Sequence, residues 1–240
     1  MKLACTSGTC SQLFDSGELT QLEFLDFCAS EFACDSVVLD VRHFPRTDED
    51  YLAQIKKMAA DLGVTIAALA DDAFLSSDSP AMDARMAQAA ALGVPLLLCR
   101  AAAETMMSWS RQLERLNYAT SLAKRANITL AMRNVPGTFA GSVPEVKRVS
   151  KEADSAWLRY ALDPAAFDGS SDVDAVRANA VALWASVAAG EAGIAPFVER
   201  FGDFRGPLVL QGDGSLDVDE MRSATGQWRV ALARFELDRR

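Results

Sequence analysis

Short apolar runs alternate with stretches of helical periodicity along the whole chain, and this alternation constrains the fold more than any single motif. Apolar runs bounded by turn residues read as buried parallel strands, and the amphipathic stretches between them as crossover helices. The strand candidates are Lys2–Thr6, Ser36–Val41, Thr65–Ala70, Pro95–Cys99, Thr129–Arg133, Leu158–Leu162, Val181–Ala185 and Pro207–Gln211. Between them, Thr20 and Glu23 form a capping box ahead of Leu22, Leu25 and Cys28. Leu52, Ile55, Met58, Ala59 and Leu62 keep helical spacing up to Gly63, a residue suited to a helix C-cap. Met82, Met86, Ala89 and Ala90 do the same before Gly93, and Trp109, Leu113, Leu116, Thr120 and Ala123 up to Ala126. Further helices are expected over Val143–Glu152 and, with Asp172 and Asp174 at its start, in a short segment after the sixth strand. The last helix begins with Asp217, Asp219 and Glu220, turns Met221, Ala224, Trp228 and Phe235 inward, and ends Arg239-Arg240, in the sense that complements the helix dipole.

Strict alternation through eight strands predicts an α/β fold, a single (β/α)8 TIM barrel over residues 1–240, ahead of an open doubly wound sheet. Leu62-Gly63-Val64 and Leu92-Gly93-Val94 repeat one helix-to-strand junction at an interval of about one βα unit. No strand is followed by Gly-x-Gly-x-x-Gly or Gly-x-x-x-x-Gly-Lys-Ser/Thr, so a nucleotide-binding loop is not expected. The net charge of -9 argues against the basic face that nucleic-acid binding needs. There is no apolar run long enough to cross a membrane, and too few apolar residues precede Leu3-Ala4-Cys5 for it to be a lipoprotein signal. Cys5, Cys10, Cys28, Cys34 and Cys99 are odd in number and contain no Cys-x-x-Cys pair, which suits free, buried thiols in a reducing compartment. A cytoplasmic location is expected.

In such a barrel, ligands bind at the carboxyl ends of the strands. The polar residues there are Asp40, Arg42 and His43 after the second strand and Asp71 and Asp72 after the third. Arg100 follows the fourth, Arg133 and Asn134 the fifth, Asp163 the sixth, and Gln211 and Asp213 the eighth. His43 is the only histidine, so a histidine-rich metal site is excluded. As a lone base it titrates near neutral pH beside Asp40, or it is a hydrogen-bonded loop residue. Ser7 and Cys10 follow the first strand without a nucleophile-elbow motif. Trp109 and Trp228 fall on apolar helix faces and are expected in the core, while Trp184 lies inside the seventh strand.

The stretch Arg133-Asn134-Val135-Pro136-Gly137 through Leu162-Asp163-Pro164-Ala165-Ala166-Phe167 resembles the xylose isomerase-like family, also called the endonuclease IV-like superfamily. The similar family pattern is Glu-Asn-x-Pro-Gly, a helix, and Leu-Asp-Pro-Gly-Asn-Phe. Val37-Val38-Leu39-Asp40 and Leu208-Val209-Leu210-Gln211-Gly212-Asp213 are similar to its second and eighth strand endings. The resemblance implies a sugar isomerase or epimerase holding one divalent metal through Glu, Asp, His and Glu. Carried over by position, those places are Arg133, Asp163, Trp184 and Gln211. Arginine has donors and no acceptor, so it neither ligates a cation nor serves as a base. Of the four ligand places only Asp163 keeps a metal-binding side chain, the two acid and base glutamates being replaced by Arg133 and Gln211, and no cofactor is expected, except a divalent metal at a displaced site.

The ligand-binding candidates are Asp40, Arg42, His43, Asp71, Arg100, Arg133, Asn134, Asp163 and Gln211, with Asp163 and His43 the candidates for catalysis. Arg42, Arg100 and Arg133 either grip a phosphate or carboxylate, or Arg133 fills the metal position and pairs with Asp163 or Asp40. The expected partner is a small sugar-like or anionic molecule, neither nucleic acid nor membrane, with a homodimer left open. An active isomerase or epimerase using a displaced site (His43, Asp71 or Asp163) and a non-catalytic scaffold barrel are the alternatives.

Overall fold

The computed structural model describes residues 1–167 and 173–238, and its eight parallel strands run in the closed order β1-β2-β3-β4-β5-β6-β7-β8. The strands are β1 (Lys2–Thr6), β2 (Ser36–Asp40), β3 (Thr65–Ala70), β4 (Leu96–Arg100), β5 (Thr129–Arg133), β6 (Leu158–Leu162), β7 (Ala180–Ser186) and β8 (Pro207–Gln211). The α-helices are α1 (Ser11–Ser16), α2 (Gln21–Ser30), α3 (Glu49–Asp61), α4 (Ser79–Leu92), α5 (Trp109–Ala126), α6 (Val143–Ala153), α7 (Asp174–Arg177), α8 (Gly190–Phe201) and α9 (Val218–Asp238). This is the (β/α)8 barrel. The strand interiors read as unbroken apolar runs because a parallel strand covered by helices is buried on both faces; Leu39, Leu69, Leu97, Leu130 and Leu210 are fully buried.

By internal contacts the chain forms two compact units. The first comprises Met1–Arg46, Gln54–Ala67 and Trp184–Arg240. In it β1 pairs with β2, Cys5 beside Val37, and with β8, Leu3 beside Leu208. The second comprises Thr47–Ala53 and Ala68–Leu183. There β4, β5 and β6 pair in sequence, Leu97 beside Leu130 and Leu130 beside Leu158.

Several boundaries differ from the sequence reading for physical reasons. The second strand stops at Asp40 because Val41–His43 turns into a 3-10 helix whose Arg42 N–H the Asp40 carboxylate caps. The fourth strand starts at Leu96, since Pro95 has no N–H to place in a ladder; only its carbonyl takes part, accepting from Thr129 N. It runs on to Arg100, which lies in the sheet beside Arg133. The seventh strand extends one residue beyond Val181–Ala185 at each end, and the sixth helix one residue beyond Glu152. On α4 the buried face includes Gln88 rather than Ala90, and on α9 Phe235 is only half-buried. Asp172 and the Arg239-Arg240 end lie outside the described residues. The Thr20–Glu23 capping box forms, and a second one joins Ser142 to Glu145 at the start of α6.

Candidate functional site

Four of the strand-end aspartates share one local geometry. In the first unit Asp40 Oδ1 accepts from Arg42 N and Asp213 Oδ1 from Ser215 N, both at 2.9 Å. In the second unit Asp71 Oδ1 accepts from Ala73 N and Asp163 Oδ1 from Ala165 N, again at 2.9 Å. Each carboxylate therefore closes the turn that leaves its own strand, the Asx arrangement in which a side chain takes a backbone N–H two residues on.

Within the second unit, the ends of β4, β5 and β6 carry four of the polar side chains anticipated for the site, Arg100, Arg133, Asn134 and Asp163. Arg100 and Arg133 are register partners on neighbouring strands, so their side chains leave the sheet on the same face. Arg133 Nη1 lies 3.5 Å from Asp72 Oδ1, with the two side chains 19% and 47% exposed. Asp72, which the sequence had not suggested beside Asp163 and Asp40, is thus within ion-pair reach of Arg133. Arg100 is exposed and, among the described residues, has no hydrogen-bond or ion-pair partner. Asn134, buried at 2%, spends both ends of its amide on one neighbour: Nδ2 donates to Asp163 O at 2.9 Å and Oδ1 accepts from Asp163 N at 2.6 Å. It behaves as an extra rung between the ends of β5 and β6. Burial raises the Asp163 carboxyl above its ordinary range, against the opposing pull of the Ala165 N–H and the Arg133 charge.

Asp71 is committed to structure. Its Oδ2 takes a 2.7 Å hydrogen bond from Arg85 Nε, and Arg85 in turn donates to Gln88 Oε1. Arg85 was missed from sequence because it stands one position from Met86 on an otherwise apolar helix face. Gln112 was missed likewise: buried on α5, it accepts from Ala102 N at 2.9 Å and so fixes the loop leaving β4. Beyond that point the loops after β4 and β5 meet in an isolated antiparallel bridge, Ala103 beside Thr138, reinforced by Phe139 N donating to Ala102 O. Trp109 is half-buried rather than core. Its indole donates to Glu152 Oε2 at 2.6 Å, its edge meets Phe139, and the Arg148 guanidinium lies 4.2 Å above its ring.

In the first unit, His43 Nδ1 sits 2.9 Å from Ser7 Oγ, and Ser7 Oγ also accepts from Asp40 N at 2.9 Å. The imidazole stacks on Phe14, centroids 4.2 Å apart and rings nearly parallel. Burial lowers the His43 pKa, only partly countered by Asp40, which keeps the ring neutral near pH 7. Ser7 is fully buried, so this pair holds the turn after β2 and offers no exposed nucleophile. Asp40 forms a forked pair with Arg42, whose Nη2 is 2.8 Å from Oδ2. Trp184 is buried at 3% exposure, and the Gln211 carbonyl accepts from Val187 N at 2.9 Å. Among the described residues no three His, Cys, Asp or Glu side chains are grouped so as to hold a metal ion.

Comparison with known proteins gives a consistent picture. The family model described as xylose isomerase-like TIM barrel matches residues 27–188. Among solved structures, D-psicose 3-epimerase from Clostridium cellulolyticum H10, crystallised with D-tagatose, superposes with a TM-score of 0.76 at 15% identity, covering 97% of this chain and 99% of that one. A probable 3-DHS dehydratase from Bacillus anthracis, AsbF, gives 0.74 at 14% identity, covering 94% and 98%. A xylose isomerase domain protein from Planctomyces limnophilus gives 0.73 at 10% identity, covering 98% of each chain. At these identities the structural matches speak for the fold. No curated protein sequence matches the chain significantly.

Proposed function

Since this chain belongs to the xylose isomerase-like TIM barrel family, we propose that it binds a small anionic or polar molecule of the sugar or sugar phosphate class at the carboxyl ends of its strands, without the family's divalent metal. The observation that carries this reading is the pair Arg100 and Arg133, side by side in register on β4 and β5. Neighbouring strands run about 4.8 Å apart, so two guanidinium groups leaving adjacent ends repel one another. Asp72 balances Arg133 at 3.5 Å from a half-exposed position, and Arg100 is left without a counter-charge among the described residues. A phosphate or carboxylate seated between two guanidinium forks satisfies both. The sugar class comes from the neighbours, one of which is a D-psicose 3-epimerase.

The donor chemistry supports the absence of metal. A divalent cation needs several oxygen or nitrogen donors. At the places the family resemblance assigns to ligands, Arg133 brings a positive charge, Trp184 an indole with no lone pair to give, and Gln211 a neutral amide. Asp163 alone offers a carboxylate, and one of its oxygens already caps Ala165 N. These residues do not fit a divalent ion. A second reading, an isomerase or epimerase working from a displaced site, rests on Asp163, because burial holds its proton more tightly than an ordinary aspartate's beside a cation that would steady a developing negative charge.

Thermal-shift and calorimetric titration with inorganic phosphate, sugar phosphates and small carboxylates tests the first reading. A ligand at a hundredfold excess over its Kd adds about 2.7 kcal/mol of stability. The gain should weaken with salt and vanish in Arg100→Ala and Arg133→Ala. A panel that leaves the melting temperature unmoved, or binding indifferent to both substitutions, refutes it. Calorimetry with Mn or Mg should show no heat; one micromolar site abolished by Asp163→Ala would reverse the metal assignment. Turnover of a sugar by the unaltered protein, lost in Asp163→Asn with binding retained, would establish the second reading.

A further inference from the structure

Three of the five cysteines, although far apart in sequence, gather at one place in the first unit. Cys5 lies on β1, Cys28 on α2, and Cys34 in the loop that carries α2 into β2. Cys5 Sγ and Cys34 Sγ are 3.1 Å apart, and Cys34 N donates to Cys28 O at 2.8 Å, so the third cysteine is tied to the same turn. A disulfide has an S–S length of about 2.05 Å; a shift of about one ångström in two side chains closes the gap. Cys5 and Cys28 are fully buried, while Cys34 retains 6% exposure and is the thiol nearest the surface.

Two further features single out Cys34. The preceding residue, Ala33, holds a left-handed backbone with φ of 48°, a conformation that residues bearing a Cβ disfavour. The loop is thus fixed in an unfavourable shape that presents Cys34 to Cys5. The Cys34 pKa is also lowered, first by hydrogen bonding from Cys28 and Cys5 and then by the Arg229 cation. The Cys5 thiol is pushed up by its hydrogen bonds to Cys28 and Cys34 and by burial, and the Cys28 thiol by burial above all. Of the three thiols Cys34 is thus the one shifted toward the thiolate, which is the reactive form of cysteine. A cavity of about 210 Å³ lined by Leu3, Asp35 and Arg229 opens beside this loop, Asp35 being the residue after Cys34.

We propose that Cys5 and Cys34 are a redox modification site that closes to a reversible disulfide, with Cys34 the attacking sulfur. In the first step the Cys34 thiolate attacks the O–O bond of a hydroperoxide, giving Cys34 sulfenic acid and, after protonation, the alcohol or water of the peroxide. In the second, Cys5 sulfur attacks Cys34 sulfur; the hydroxyl leaves with the Cys5 proton as water. In sum, two thiols and one hydroperoxide yield one disulfide, one alcohol and one water. An external thiol returns the pair to the reduced state by exchange. The bond would fasten the α2–β2 loop to the first strand.

The test is thiol counting and peptide mapping on the full-length protein treated with a few equivalents of hydrogen peroxide. Alkylatable thiols in denaturant should fall from the five free cysteines to three, with a Cys5–Cys34 cross-linked peptide recovered and the count restored by dithiothreitol. Cys34→Ser should abolish the loss, whereas Cys99→Ser should lower the starting count by one and leave the loss of two unchanged. Because the unsubstituted protein carries the primary readout, a Cys34→Ser variant that fails to fold does not shelter the proposal. Five thiols surviving peroxide, oxidation of Cys34 to sulfinic acid without a cross-link, or a disulfide mapping to Cys10 or Cys99 would each overturn it.

Discussion

Asn134→Ala isolates what the amide between β5 and β6 does. The side chain makes two hydrogen bonds to the backbone of Asp163, at 2.9 Å and 2.6 Å, from a position only 2% exposed. A made hydrogen bond is worth about 1 kcal/mol net, and a buried group left without a partner costs about 1–3 kcal/mol. Truncation strands one N–H and one C=O together, so the expected loss is about 2–4 kcal/mol. Asn134→Asp separates the two halves: it keeps an acceptor for Asp163 N and turns a carboxylate toward Asp163 O, so it should be at least as damaging at neutral pH and less so in acid. Urea unfolding should be followed by far-ultraviolet circular dichroism and by tryptophan fluorescence, because a chain with two compact units need not unfold in one step. Coincident curves license a single free energy. A loss under about 1 kcal/mol for Asn134→Ala, with unchanged slope, would refute the view of Asn134 as a rung of the sheet.

Replacing Arg85 by Met leaves Asp71 facing a vacated guanidinium; with side chains 27% and 8% exposed, the cost should be near the lower end of about 3–5 kcal/mol, read by the same unfolding assay. His43 titrates lower in the folded chain than its ordinary 6.5, so below pH 6.5 the unfolded chain takes up the proton first and stability is lost until the folded value is passed. His43→Phe, which keeps the stack on Phe14, should remove that slope from a stability-versus-pH curve; an unchanged slope counts against burial as its cause. Asp163 has the opposite sign. Its folded pKa lies above the ordinary 3.8, so the folded chain holds the proton longer and stability falls as pH rises from 3.8 through the folded value. Asp163→Asn should flatten that fall while still accepting from Ala165 N, and a curve that does not change would mean the carboxyl is better solvated than its surroundings suggest.

The strands were legible because a parallel strand buried on both faces leaves an unbroken apolar run, and the family signature because its turn residues sit in consecutive positions. What escaped depended on neighbours distant in the chain. Nothing in sequence shows that Asp72 comes within reach of Arg133; that depends on which strand ends stand side by side. Arg100 looked like a loop residue because a charged side chain at a strand end has the same local signature whether or not its backbone continues the ladder. Trp109 lies on the apolar stripe of α5, but Arg148 and Glu152, both on α6, draw its ring to the surface. Cys5, Cys28 and Cys34 have no motif spacing, and only the return of the chain from α2 into β2 brings their sulfur atoms together.

The four turn-closing aspartates point to a separation between architecture and activity. Asp40, Asp71, Asp163 and Asp213 each close a turn on their own following N–H, and none requires a bound ion to do so. The rim of such a barrel is self-supporting. Substitution at a neighbouring rim position therefore need not remove a turn. The residues that hold the turns are thus distinct from those free to meet a ligand, and the second set can vary at little risk to the scaffold.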